Sequence, residues 1–171
     1  MLKSKILSIW KPPGITSFDV IRQIKNINKD ISKVGHCGTL DPFAEGILII
    51  CIEDEVKNVK EYMSLPKTYI ADIVFGLETD TLDKTGNIFK VDKNRNITIN
   101  QIESVLKYFK KHYVQSPPYY SAKKINGVKM YKLARQNIFI RLKGSVVDIY
   151  KLKILDLKKN KLKLHIECGA G

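Results

Sequence analysis

The stretch Lys33–Leu48, KVGHCGTLDPFAEGIL, constrains this chain more than any other. It places one carboxylate, Asp41, directly before a proline and after two glycines. Pro42 locks its own φ and pushes Asp41 out of the helical region toward an extended one. Gly35 and Gly38 permit backbone angles or close approaches that a Cβ forbids. His36 stands five residues before the carboxylate. No helix runs through such a segment, but a rigid loop can hold one acid at the floor of a cleft. Asp-Pro among glycines is also the sequence of an ordinary turn, so the chemistry must come from the wider pattern.

A chain of 171 residues is one domain or a large part of one. It can bury roughly 70% of its unfolded surface. The N-terminal MLKSKILSIWKPPG has only a short apolar run before a Pro-Pro break, which is not a signal peptide. No apolar run has the length of a membrane span, so the expected location is cytoplasmic with no membrane partner. Cys37, Cys51 and Cys168 form no CxxC pair and have no metal-site spacing with His36, His112 and His165. They read as reduced structural thiols, and no metal is expected.

The net charge of +13 favours polyanion partners. Only four of the 30 basic residues are arginines, and Lys, Ile and Asn are abundant throughout, as AT-biased coding would give any protein. The charge gains meaning where lysines flank a candidate site, as Lys33, Lys67, Lys123 and Lys124 do.

Lys5–Trp10 reads as a strand ending at Pro12-Pro13-Gly14. Thr16 and Ser17 are good N-caps for a helix carrying Phe18, Ile21, Ile24 and Ile27 on one stripe. Ile47–Ile52 is an apolar strand, and Asp54–Ser64 a second helix with Val56, Val59 and Met63 inward, stopped by Pro66. Thr68–Gly76 reads as a strand and Thr79–Gly86 as a loop. Thr98 and Gln101 form a capping box ahead of Ile102, Val105, Leu106 and Phe109. A short helix is expected near Met130–Gln136. The tail reads as strands at Ile138–Leu142, Val146–Leu157 and Leu162–Cys168, with a turn at Lys158–Asn160. The expected class is α+β, a mixed, mainly antiparallel sheet with flanking helices.

GHCGTLDPFAEGIL resembles the signature of the TruB-type tRNA pseudouridine synthases, close to GHxGTLDPxAxGxL, with Glu45 where the family often has Thr. Four more stretches resemble the same family in the same order: WKPPGITS at Trp10–Ser17, KTYIADIVFGLETDT at Lys67–Thr81, QSPPYYSAKKINGVKMYKLAR at Gln115–Arg135, and HIECGAG at His165–Gly171. The resemblance implies the pseudouridine synthase catalytic fold. It implies isomerisation of uridine 55 in the T-loop of tRNA without a cofactor, on a nucleotide flipped out of its stack, by a monomer.

The resemblance also implies roles. Asp41 matches the essential aspartate, acting as nucleophile or as base toward the sugar; the sequence leaves both open. Tyr69 matches the tyrosine that stacks on the flipped base and assists a late proton transfer, although by pattern alone it is a core strand tyrosine. His36 resembles the histidine that takes the place of extruded bases. Lys11 and Pro12 support the signature loop, in which Thr39 and Leu40 lie beside the RNA. Tyr120, Ser121, Lys123 and Tyr131 line the RNA-facing side, and Asp80 orients neighbours near the pocket.

The family continues past this point with Thr-Tyr-Ile-Arg, whose arginine pairs with the aspartate, then a helix and a small C-terminal RNA-binding domain. The expected organisation is therefore 1–171 as the N-terminal part of a catalytic domain, incomplete, with the C-terminal domain absent. None of Arg22, Arg95, Arg135 and Arg141 lies in a comparable motif. A buried Asp41 without its partner, and a last strand without cover or neighbour, predict weak stability and poor turnover. The alternative function is a non-catalytic tRNA-binding remnant. A generic basic domain is the third reading.

Overall fold

The computed structural model describes residues 5–92, 96–109, 111–121 and 123–170. Arg95 and Gly171 lie outside them. The chain forms two compact units, Met1–Leu65 and Pro66–Gly171.

The first unit runs through β1 (Lys5–Lys11), α1 (Ser17–Ile27), β2 (Val34–His36), β3 (Gly46–Ile52), a 3₁₀ stretch at Glu53–Asn58 and α2 (Val59–Ser64). Its sheet has the order β1-β3-β2 and is antiparallel throughout. Leu7 opposes Ile50 and Ile9 opposes Leu48, so these four share one face. Val20, Ile21 and Ile31 close over that face to make the core, with Ile50 and Ile52 almost wholly buried.

The α1 N-cap is Thr16, which accepts from the Asp19 amide while the Asp19 carboxylate accepts from the Thr16 amide. The expected stripe is corrected. Val20, Ile21 and Ile24 face the core, whereas Phe18 and Ile27 are exposed. Steps of three residues lag a helical turn by about 60° each, so nine residues put Ile27 opposite Phe18. The helix expected at Asp54–Ser64 is also corrected. Its first half winds as 3₁₀ from Glu53, whose φ of 52° is left-handed. Three residues per turn bring Val56 and Val59 together against Gly35, and Met63 falls off that line, 44% exposed.

The second unit runs through β4 (Lys67–Val74), β5 (Leu77–Thr79), β6 (Ile88–Val91), α3 (Ile99–Leu106), β7 (Lys111–Gln115), β8 (Lys124–Ile125), β9 (Val128–Lys129), α4 (Met130–Ala134), β10 (Ser145–Lys158) and β11 (Lys161–Cys168). The four-stranded sheet has the order β4-β11-β10-β7, again antiparallel. The β10–β11 hairpin turns through Lys159, at a φ of 54°, and Asn160. The alternation Leu162, Leu164, Ile166 packs under α3, where Ile102 is buried behind the Thr98–Gln101 capping box. Val105 turns outward and is exposed.

Two expectations fail here. The last strand is no bare edge: β11 pairs with β4 on one side and β10 on the other, and Leu162 and Leu164 are buried. Ile138–Leu142 is not a strand. The Ile138 amide closes the end of α4 on the Leu133 carbonyl, Phe139 packs edge-on against Tyr119, and the register beside β10 is taken by β7. A β-rich composition makes no strand without a neighbour to pair with. No helix among the described residues is long and apolar enough to cross a membrane.

Candidate active site

The signature loop leaves β2 and returns in β3. The Cys37 amide donates to the Ile49 carbonyl, and the chain then turns through Gly38 at a φ of 115°. Here glycine is required, since a Cβ is strained in this region. Half-buried His36 donates from Nδ1 to the Gly38 carbonyl at 2.6 Å. A carbonyl only accepts, so the proton sits on Nδ1 and Nε2 is left as an acceptor when the ring is neutral.

The residues on either side of Asp41 are tied back to the 11–17 segment. Ser17, buried at the start of α1, donates its hydroxyl to the Leu40 carbonyl at 3.1 Å and accepts from the Leu40 amide at 2.9 Å. The Pro42 carbonyl accepts from the Gly14 amide at 2.7 Å. Asp41 itself closes a turn through its own carbonyl, which accepts from the Ala44 amide. Its side chain is exposed, so the expected burial of this carboxylate is not found. A hydrated carboxylate carries little desolvation penalty, and that ground for instability falls away.

Lys11 is fully buried. It continues the inward alternation Leu7, Ile9, Lys11 along β1. Its ammonium donates to the carbonyls of Pro12 at 3.0 Å and Ile15 at 2.8 Å, with a long contact of 3.5 Å to Pro42. Lys11 has no exposed atom with which to meet a phosphate, so its part is the support of the signature loop and not an RNA contact. It braces the turn beneath Asp41. Pro12 and Thr39 are exposed, and Leu40 packs its side chain against the core. Cys37 lies 3.3 Å from Cys51, sulfur to sulfur, both buried; burial and the neighbouring thiol push the Cys37 thiol up to about 12.

In the second unit Tyr69 sits on β4 opposite Ile166, 42% exposed. Partial desolvation, with Cys168 adding in the same direction, raises its phenol above the usual value, so the hydroxyl stays protonated. Asp80 opens the loop between β5 and β6. Its carboxylate accepts from the Asn87 amide at 2.9 Å. Asp83 accepts from the Thr81 hydroxyl and from both the amide and the hydroxyl of Thr85, and these bonds hold its pKa down against desolvation. A Cβ on Gly86 would collide with Thr81 Oγ1 and Asp80 Oδ1. Gly86→Ala is therefore expected to open this loop, with amide exchange at Asn87 faster by about tenfold or more and the rest of the unit unchanged; hydrogen exchange measures both.

Ser121, Lys123 and Tyr131 are brought together. The Tyr131 amide donates to the Ser121 carbonyl, the Met130 amide to the Lys123 carbonyl, and the Ser121 hydroxyl contacts Met130 Sδ at 3.3 Å. Tyr120 adjoins them in the chain. The Lys129 ammonium and the Arg135 guanidinium each lie 5.5 Å from the Tyr131 ring centroid. Sequence reasoning missed these two cations. The available signal was the run between Glu103 and Asp148, which has ten lysines and arginines and no acid. It also missed Ser17 as a tie to the loop, having weighed it only as a cap. Among the described residues no cluster of His, Cys, Asp and Glu has the arrangement of a metal site.

Residues 23–171 match the family model described as TruB family pseudouridylate synthase, N-terminal domain. The chain belongs to the TruB family. A tRNA pseudouridine synthase B of Clostridium acetobutylicum is 45% identical over 166 residues, covering 97% of this chain and 57% of the relative. One from Ureaplasma urealyticum serovar 10 is 42% identical over 173 residues, covering 99% of this chain and 75% of the relative. The chain thus spans little more than half the length of several curated relatives, including a second clostridial one at 57%. Among solved structures, a chain of a Cbf5-Nop10-Gar1 complex superposes with a TM-score of 0.68 at 23% identity, over 97% of this chain and 40% of that one. A chain of an H/ACA RNP bound to a substrate RNA gives 0.65 at 20%, over 97% and 38%. At these identities they show the fold, and with the family it agrees with the α+β pseudouridine synthase architecture expected from the sequence.

Proposed function

We propose that the protein isomerises uridine 55 in the T-loop of tRNA to pseudouridine, with Asp41 as the reacting carboxylate. The observation that carries this reading is the signature loop, which presents Asp41 exposed between two tethered neighbours. Support comes from relatives named tRNA pseudouridine synthase B. The reaction is redox-neutral. The bond from C1′ to N1 breaks, the uracil turns, a bond from C1′ to C5 forms, C5 loses its proton and N1 gains one. Asp41 acts on the sugar, either by bonding to it or by removing a proton.

The remaining roles follow the chemistry of each side chain. Tyr69 stacks on the flipped base, a contact worth ~1–3 kcal/mol, and its protonated phenol serves a late proton transfer. His36 fills the space left by extruded bases. Thr39 and Leu40 lie beside the RNA, and Asp80 holds its loop in place. Lys123, Lys129 and Arg135 meet phosphates around Tyr120, Ser121 and Tyr131.

The test is pseudouridine formation by the natural protein carrying this chain, on a tRNA transcript and on a scrambled RNA of equal length. Product confined to the T-loop uridine is expected, and no product on tRNA would reject the reading. Tyr69→Phe keeps the aromatic face and loses the hydroxyl. Turnover is expected to fall about tenfold with tRNA affinity within about twofold. Equal losses in both would assign Tyr69 to docking alone.

A further inference from the structure

We propose that Ser17 is a positioning residue for Asp41, its hydroxyl setting the direction of the carboxylate by fixing the backbone of Leu40; this rests on the reading of Asp41 as the reacting group. The Ser17 hydroxyl makes two hydrogen bonds, one given and one taken, and both go to the same residue, Leu40. The side chain is 2% exposed, so neither bond competes with water. On the far side of Asp41 the Pro42 carbonyl is tied to the Gly14 amide. Asp41 thus hangs between two fixed points while its carboxylate reaches solvent. Among the described residues nothing but this backbone aims it.

Ser17 is not needed to cap α1. Thr16 performs that task in full with Asp19, and alanine is well tolerated in the first turn of a helix. Loss of the hydroxyl therefore spares the helix and releases the loop. Reacting groups displaced by as little as about 1 Å lose rate by about 10².

The experiment uses single turnover, with the natural protein in excess over a tRNA transcript, comparing wild type, Ser17→Ala, Ser17→Cys and Asp41→Asn. Ser17→Ala is expected to lower the rate constant about 10- to 100-fold at full reaction amplitude, with the tRNA Kd within about twofold. Ser17→Cys keeps the volume with weaker hydrogen bonding and is expected to fall between. A wild-type rate constant at reduced amplitude marks loss of folded enzyme and overturns the proposal, as does a parallel loss of tRNA binding. If Ser17→Ala does not fold, Ser17→Cys decides, and a wild-type rate there overturns it. An inactive wild type rejects the reading of Asp41 and this inference with it. An active wild type, an inactive Asp41→Asn and an unimpaired Ser17→Ala reject this inference alone.

Discussion

Asp41→Asn is expected to lower pseudouridine formation by about 10³-fold or more and to leave tRNA affinity within about twofold. Asparagine is nearly isosteric and tolerates the extended backbone that a following proline imposes. The side chain is exposed, so the exchange leaves no buried polar atom unpaired. The ties at Leu40 and Pro42 run through the backbone and through Ser17 and Gly14, and the substitution touches none of them. What is removed is the negative charge, and with it both the nucleophile and the base. Release of tritium from uridine labelled at C5 measures the loss directly, because that hydrogen must leave when carbon 5 bonds to the sugar. A protein that only binds tRNA would release none before or after the substitution. A variant that still turned over within tenfold of wild type would remove Asp41 from the chemistry.

Local rules made some of this molecule legible in the sequence. The turn at Gly38 and Asp41-Pro42 follows from backbone sterics, which act within a few residues. The N-cap at Thr16 and the capping box of α3 are equally local, each set by side chains within three residues of the amides they bond. The alternation Leu162, Leu164, Ile166 marked the inward face of β11 for the same reason. Properties that depend on a distant neighbour were not legible. Ile138–Leu142 has strand composition, but β7 holds the place beside β10. Leu162–Cys168 was expected at an edge and lies inside the sheet, since β4 comes from nearly a hundred residues earlier in the chain. The burial of Lys11 is half visible, as the third term of Leu7, Ile9, Lys11, but a lysine is buried only where acceptors surround its ammonium, and the carbonyls of Pro12 and Ile15 are no part of that pattern. Ser17 and Leu40 are 23 residues apart, and no pattern of residue types announces their pairing.

Affinity for tRNA is expected to fall roughly 10²- to 10³-fold between 50 and 200 mM salt. Each phosphate neutralised by a lysine or arginine releases counterions, and the logarithm of affinity falls by about 0.7–0.9 per contact for each decade of salt. About five contacts give a drop of that size. The acid-free run between Glu103 and Asp148 supplies the cations, and Lys123, Lys124, Lys132, Arg135, Arg141 and Lys143 within it are exposed. Lys129 and Arg135 flank the Tyr131 ring, which holds their long stems in place and lowers the entropy lost when a phosphate arrives. Replacing Lys123, Lys129 and Arg135 together by alanine is expected to reduce the salt slope by about 2–3 and to weaken binding of all RNAs alike, because phosphate contacts carry no sequence information. The same variant should turn over at the wild-type rate once tRNA is saturating, since none of the three is given a part in the chemistry proposed for Asp41. Binding titrations at four salt concentrations measure the slope, and single-turnover kinetics measure the rate. Binding and chemistry would then be lost independently, the one through three cations and the other through one carboxylate. A flat salt response would overturn the RNA interface whatever Asp41 does.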